Sequence, residues 1–170
     1  MSDRPPPTPE EFEATFRDDI RVGFNWERFL AERWPIERVT LTDRAALDRC
    51  SAPWYVVRAG ESVPYDDVHA FPMSLRDVPK AFEILSDERK ADIRGKIEKF
   101  RDREGVVRLT VPTYGLPDGS YFVLDRNHRL AALVVTNFPF DVELWNVLGP
   151  PDKDALLDLH HWLKDEGSNQ

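Results

Sequence analysis

The sequence holds one cysteine, Cys50, among 170 residues. A lone thiol excludes an internal disulfide and any zinc site built from cysteine pairs, and its simplest reading is a small buried apolar side chain. Long hydrophobic runs are missing too: the longest, Leu130-Ala131-Ala132-Leu133-Val134-Val135, falls far short of the roughly 20 residues that a membrane-spanning helix needs. The stretch Met1-Ser2-Asp3-Arg4 runs into Pro5-Pro6-Pro7 without a basic, apolar signal region, so the expectation is a soluble cytoplasmic protein. A basic excess is absent as well. The formal net charge is −8 and the pI is near 5.0, and a field of that sign repels phosphate polymers unless a local basic patch opposes it. Nucleic acid and membrane are therefore disfavoured as partners, and a small-molecule substrate is favoured.

What is present is enough to fold. Hydrophobic residues make up 41% and include ten Phe and five Trp, so the chain can bury sufficient apolar surface to offset the entropy of ordering. Thr8-Pro9-Glu10-Glu11 combines an N-cap residue, proline at the first helical position and Glu three residues after the cap, which starts a helix with Phe12 and Phe16 on one face. Asn25 caps a second helix through Trp26, Phe29 and Leu30 that ends before Pro35. Residues 1–35 thus read as a helical arm. From Ile36 the bias turns to β-branched and aromatic residues at Val39, Leu41 and Trp54-Tyr55-Val56-Val57, which predicts strands around a partly helical stretch at 42–50. Residues 60–79, with three prolines and little periodicity, read as a long loop.

Ser86-Asp87-Glu88 opens the clearest helix: acidic residues fill its first turn, Ile93, Ile97 and Phe100 recur at helical spacing, and Gly105 closes it. Its opposite face is heavily charged and reads as solvated. A strand at 106–111, a turn at Pro117-Asp118-Gly119 and a strand at 121–124 form a hairpin that runs into a helix over 127–135. A last strand covers 142–147, and after Gly149-Pro150-Pro151 a terminal helix starts at Asp152 and contains Leu156, Leu159 and Trp162. The expected fold is α+β: a small mixed β-sheet with flanking helices over 36–150, preceded by the arm and followed by a C-terminal helix and tail at 151–170.

The chemistry concentrates where the hairpin meets its helix. The first N–H groups of a helix lack intrahelical partners and carry partial positive charge, which makes a strand-to-helix junction a phosphate site. Asn127 suits the cap, Arg129 offers a permanently charged fork that matches phosphate oxygens, and His128 can donate hydrogen bonds or move a proton near neutral pH. The competing reading is structural: Asn127 only caps, Arg129 pairs with a surface carboxylate and His128 is a satisfied polar residue. Glu61, Asp66, Asp67 and His69 lie in the long loop and could supply a general base or oxygen ligands, although a solvated acidic loop explains them equally. His160 and His161 are adjacent and point about 100° apart on a helix, so they do not make the i, i+4 pair that a metal needs; packing near Trp162 fits them better. The remaining tryptophans read as core.

The passage Gly119-Ser120-Tyr121-Phe122-Val123-Leu124-Asp125-Arg126-Asn127-His128-Arg129-Leu130-Ala131-Ala132-Leu133 resembles the signature of the ParB/sulfiredoxin-like superfamily, and the likeness extends over 86–147. The resemblance implies a junction that binds nucleotide phosphates. ParB proteins hydrolyse CTP there, sulfiredoxins use ATP to phosphorylate a sulfinic acid, and free serine kinases phosphorylate serine. Carried over by position, Arg126, Asn127, His128 and Arg129 would hold the phosphates, and Asp125 would hold the junction or assist a magnesium ion or a proton transfer. Two departures stand out. Arg126 occupies the place of a family glycine, either as a further phosphate ligand or as an obstruction. Asn127 replaces the sulfiredoxin cysteine, which argues against sulfinic acid reduction.

The resulting expectation is a phosphotransferase or NTPase that uses a nucleoside triphosphate or diphosphate with Mg2+ and acts on a small hydroxyl-bearing acceptor. Asp125, His128 and Glu61 would be its catalytic groups, with Glu61 taking the acceptor proton. The alternatives are a non-catalytic module that binds a nucleotide or anionic metabolite and regulates a partner protein, and a ParB-like nuclease, which would require a basic surface.

Overall fold

Local capping chemistry sets where the helices start. In α1 (Pro9–Phe16) the Thr8 hydroxyl accepts the Glu11 N–H at 3.1 Å while the Glu11 carboxylate accepts the Thr8 N–H at 2.8 Å, so two orphan donors are satisfied reciprocally. Asn25 caps α2 (Trp26–Glu32), which stops at Arg33 in a left-handed conformation ahead of Pro35. The chain continues through β1 (Ile36–Leu41), α3 (Arg44–Leu47), β2 (Cys50–Val56), β3 (Phe71–Ser74), α4 (Val78–Ala81) and α5 (Asp87–Arg101). It then forms β4 (Val107–Gly115), β5 (Tyr121–Val123), α6 (Asn127–Val134) and β6 (Phe140–Val147). The computed structural model describes residues 3–56, 62–64 and 70–163.

The six strands form one mixed sheet in the order β1-β6-β4-β5-β2-β3, and the fold is α+β. β4 and β5 are the expected antiparallel hairpin, with Gly119 supplying the positive φ of 83° that its turn requires. β4 pairs with β6 and β5 with β2 in parallel, whereas β1 and β3 add antiparallel edges. No helix among the described residues is long and apolar enough to cross a membrane.

Alternation along the strands feeds two separate cores. Val107, Leu109 and Val111 of β4 join Val142 and Leu144 of β6 and Ala52 and Trp54 of β2 in an aliphatic core closed by Ile93 and Phe100 of α5 and by Leu130, Ala131 and Leu133 of α6. Tyr114 of β4, Phe122 of β5 and Val147 of β6 belong to an aromatic core with Phe12 and Phe16 of α1, Phe24, Phe29 and Trp34. The residues of the expected arm therefore pack on the sheet. Tyr114 reaches through this core to donate to the Pro150 carbonyl at 2.7 Å, and any Cβ at Gly149 would fall 2.1 Å from its hydroxyl oxygen.

Two expectations are corrected. The stretch 60–79 contains β3, a 3-10 turn at Leu75–Asp77 and the start of α4. Its prolines sit where proline is tolerated, Pro72 on an edge strand and Pro79 in the first turn of a helix, while Met73, Leu75 and Val78 are buried. The terminal helix does not start at Asp152. Leu156 is extended because it bridges Phe24, with Asn25 N–H donating to Ala155 O at 3.0 Å and Leu157 N–H to Gly23 O at 3.1 Å, and only a 3-10 turn at Leu157–His161 follows. In that turn the rings of His160 and His161 lie 3.7 Å apart, and His161 packs on Tyr55. Cys50 is buried, and burial pushes its thiol up to about 12 against the opposing influence of Arg49.

Candidate functional site

The turn from β5 into α6 requires one residue with left-handed backbone, and Arg126 supplies it with φ 71° and ψ 28°. This corrects the expectation for Asn127. Arg126 is the N-cap, Asn127 is the first helical residue, and no side chain caps α6, whereas Thr8, Asn25 and Ser86 cap α1, α2 and α5. Holding a non-glycine residue in that region costs on the order of 1–3 kcal/mol. The Arg126 guanidinium is anchored in return: it donates to the Thr110 carbonyl, lies 5.2 Å from the centre of the Phe16 ring and has Asp19 at 3.8 Å.

The structure brings Asp125, Arg126, Asn127, His128 and Arg129 together with Lys96 of α5 around a cavity of about 210 Å³. Among these residues, two buried side-chain atoms, Asn127 Oδ1 and His128 Nε2, make no hydrogen bond. His128 leans against Trp54 with ring centres 5.4 Å apart, and Arg89 lies 5.2 Å from the same tryptophan ring. Burial lowers the His128 pKa below its ordinary value of 6.5. Arg89 and Lys96 act in the same direction, and Asp92, 3.8 Å from Nε2, opposes them together with Asp125. The imidazole is therefore held neutral at pH 7.

Lys96, Arg126 and Arg129 are also the shared wall of a second cavity, of about 350 Å³, whose other basic lining residues are Lys99, Arg103 and Arg108. No carboxylate lines it. Thus six of the chain's 23 Lys and Arg residues converge on one concavity of an acidic protein. Among the described residues Lys96, Lys99, Arg103, Arg108 and Arg129 form no ion pair, and Arg126 has only the long approach to Asp19. The crowding is visible in the electrostatics. Burial lowers the Lys96 pKa with further lowering from Lys99 and Arg129 against the opposing charges of Asp92 and Asp125, and burial lowers that of Arg126 with help from Arg129 against Asp125 and Asp19.

Sequence reasoning missed four of these cations: Lys96 and Lys99 lie on the face of α5 that it assigned to solvent, Arg103 follows the end of that helix, and Arg108 lies on β4. Lys96 and Lys99 follow i, i+3 spacing and so share a face of α5, and Arg103 lies just past its C-terminus. That stripe of one sign, set against the acid-base pairs of Lys90 with Asp87 and Arg101 with Glu98 on the same helix, was the available signal. Glu61, Asp66, Asp67 and His69 lie outside the described residues. No family model, no curated protein and no solved structure matches the chain.

Proposed function

We propose that this protein binds the phosphate groups of a nucleoside triphosphate or diphosphate at the N-terminus of α6 and transfers a phosphoryl group to water or to a small hydroxyl-bearing acceptor. One observation carries this reading: Lys96, Arg126 and Arg129 converge with an uncapped helix terminus on a single cavity. Uncapped amides and guanidinium groups offer donors in directions that suit phosphate oxygens. Phosphoryl transfer depends mainly on positioning and on neutralising the charge spread over those oxygens, and fixed cations supply both without reorganising. Asp125 is the one carboxylate lining the smaller cavity and is the group to accept the proton of the attacking hydroxyl. His128, neutral at pH 7, serves as a hydrogen-bond partner to a phosphate oxygen through Nε2. Magnesium fits this lobe, because Asp125 and the unpartnered Asn127 Oδ1 are hard oxygen donors of the kind it takes alongside phosphates. Bound there it would neutralise phosphate charge.

A thermal-shift screen against ATP, ADP, CTP, GTP and inorganic phosphate, with and without magnesium, tests the binding step. A ligand at a hundredfold excess over its Kd stabilises the fold by about 2.7 kcal/mol. A nucleotide-selective rise in Tm that disappears in Arg129→Ala is expected; a shift that survives in Arg129→Ala refutes the site. Asp125→Asn should keep the shift measured without magnesium and lose phosphate release. The alternative, a non-catalytic module that binds a nucleotide and signals to a partner, is favoured by Arg126, whose anchored side chain walls the site where glycine would let the backbone approach phosphate. It predicts binding without phosphate release in the unmodified protein.

A further inference from the structure

The larger lobe has more positive charge than a nucleotide at α6 uses. A triphosphate seated in the smaller cavity is met by Lys96, Arg126, Arg129 and the helix terminus, the last equivalent to roughly +0.5 charge. Lys99, Arg103 and Arg108 then remain in the adjoining lobe, with no ion pair among the described residues and no carboxylate in its lining. Several arginines elsewhere on this protein find acids, Arg28 with Glu32 and Asp152, Arg33 with Glu10 and Arg38 with Glu143, and the unpaired ones do not converge on one cavity as these six cations do. Gathering like charges without partners opposes folding, and bound anions relieve that opposition.

We infer that the α5–β4 lobe is a second anion subsite, occupied by phosphate groups of the same ligand whose other phosphates sit at α6. This rests on the nucleotide-phosphate reading of the α6 cavity and narrows it: the ligand carries phosphate in both lobes, either as two separate clusters on one nucleoside or as a linear chain longer than a triphosphate. The surroundings select a compact ligand over a nucleic-acid strand. Beyond Arg108 the surface is mixed in sign, with Asp141 and with Glu143 held between Arg4 and Arg38, and at the other end the cations give way to Asp125 and Asp92. A strand needs a basic track continuing past the site, whereas here carboxylates end it on both sides.

Calorimetric titrations at fixed ionic strength in EDTA, so that no metal bridges phosphates, provide the test. The probes are ATP, guanosine 3′,5′-bis(diphosphate), linear hexapolyphosphate and a single-stranded oligonucleotide. The unmodified protein is expected to bind at least one of the two extended probes about tenfold or more tightly than ATP, the gain from one added charge-assisted contact. Which one it prefers identifies the source of the second phosphates. In the double variant Lys99→Ala, Arg108→Ala, which removes two exposed side chains, that affinity ratio should fall to about one; its Tm reports that the fold is intact. Equal affinity for ATP and both extended probes, an advantage that persists in the double variant, or tightest binding to the oligonucleotide each overturns the inference. If ATP fails to bind while hexapolyphosphate binds and depends on Lys99 and Arg108, the nucleotide reading fails and the subsite stands. If ATP binds without any advantage for the extended probes, the outcome is reversed.

Discussion

The arginines around α1 and α2 and the basic residues around α6 put the same charge to opposite uses. On the N-terminal side every guanidinium but that of Arg21 has an ion-pair partner among the described residues. Arg28 bridges Glu32 and Asp152, Arg38 donates to Glu143 while stacking on Trp145, and Arg33 reaches Glu10. Most of these pairs are distant in sequence: Arg28–Asp152 ties the arm to the turn after β6, Arg33–Glu10 joins α2 to α1, and Arg38–Glu143 links β1 to β6. Around α6, six cations share a concavity and five of them have no ion-pair partner among the described residues. Matched charge of the first kind orients secondary structure and contributes little binding capacity. Unmatched charge held in a concave surface costs stability and gains a partner only when an anion arrives. The difference shows that the overall charge of −8 says little about what a particular cavity attracts.

The largest effect belongs to the scaffold. Phe12 is fully buried and its ring packs on Phe16, Phe24, Trp26 and Phe29, so Phe12→Ala should cost about 3–5 kcal/mol in denaturant unfolding. Where the variant is still folded, phosphate binding should persist; a loss of binding at that point would break the separation between arm and cavity. Glu143→Gln comes next. It removes the charge that accepts from Arg38 Nη1 at 2.6 Å and from Trp145 Nε1 at 2.8 Å, and about 1–2 kcal/mol should go. Burial alone would raise the Glu143 pKa, but the hydrogen bonds from Trp145 and Arg38 and the charges of Arg38 and Arg4 bring it below 4.5. Its stabilisation is therefore complete above pH 4.5 and lost as pH falls through the lowered folded-state value. The glutamine variant should show a flatter stability profile on the acid side.

Arg129→Ala should do the opposite to the apo protein. Removing a charge from the unmatched set relieves Lys96 and Arg126, so stability without ligand should stay within about 0.5 kcal/mol of the original or rise slightly. A drop comparable to that of Glu143→Gln would place Arg129 among the structural arginines. The smallest effect is that of His128. Because burial lowers its folded-state pKa below 6.5, the unfolded chain takes the proton first as pH drops; stability declines below pH 6.5 and levels once the folded value is passed. NMR titration of the imidazole should find it below 6.5 in the apo protein and higher with inorganic tripolyphosphate bound. An unchanged value would separate His128 from the anion site.

The legible parts of the structure are those decided by neighbours in sequence. The Thr8 capping box, the Asn25 and Ser86 caps, the alternation of β4 and the Gly119 turn each express a preference satisfied within a few residues, and all are found where the sequence places them. The misreadings share one cause. β3 exists because Ser51 and Ala52 pair with Ser74 and Met73, and the segment after Asp152 stays extended because Phe24 pairs with Leu156; both depend on a partner far along the chain. At the junction the residues Asp125 to Arg129 were legible as a group, but the cap was misassigned. Asn127 has the better capping side chain, while the geometry of the strand-to-helix turn sets the left-handed residue one position earlier.

By itself the sequence determined the starts of α1, α2 and α5, the hairpin, the α+β class and the place where a helix opens straight after a strand, because those follow from short-range hydrogen bonding and periodicity. Only the tertiary structure decided that α5 lies against α6, which turns Lys96 and Lys99 from a solvated helix face, with Arg103 just past its end, into the wall facing Arg126 and Arg129. Electrostatic interaction depends on distance in space, and charges separated by 33 residues, as Lys96 and Arg129 are, acquire a common field only once the packing of two helices has brought them together.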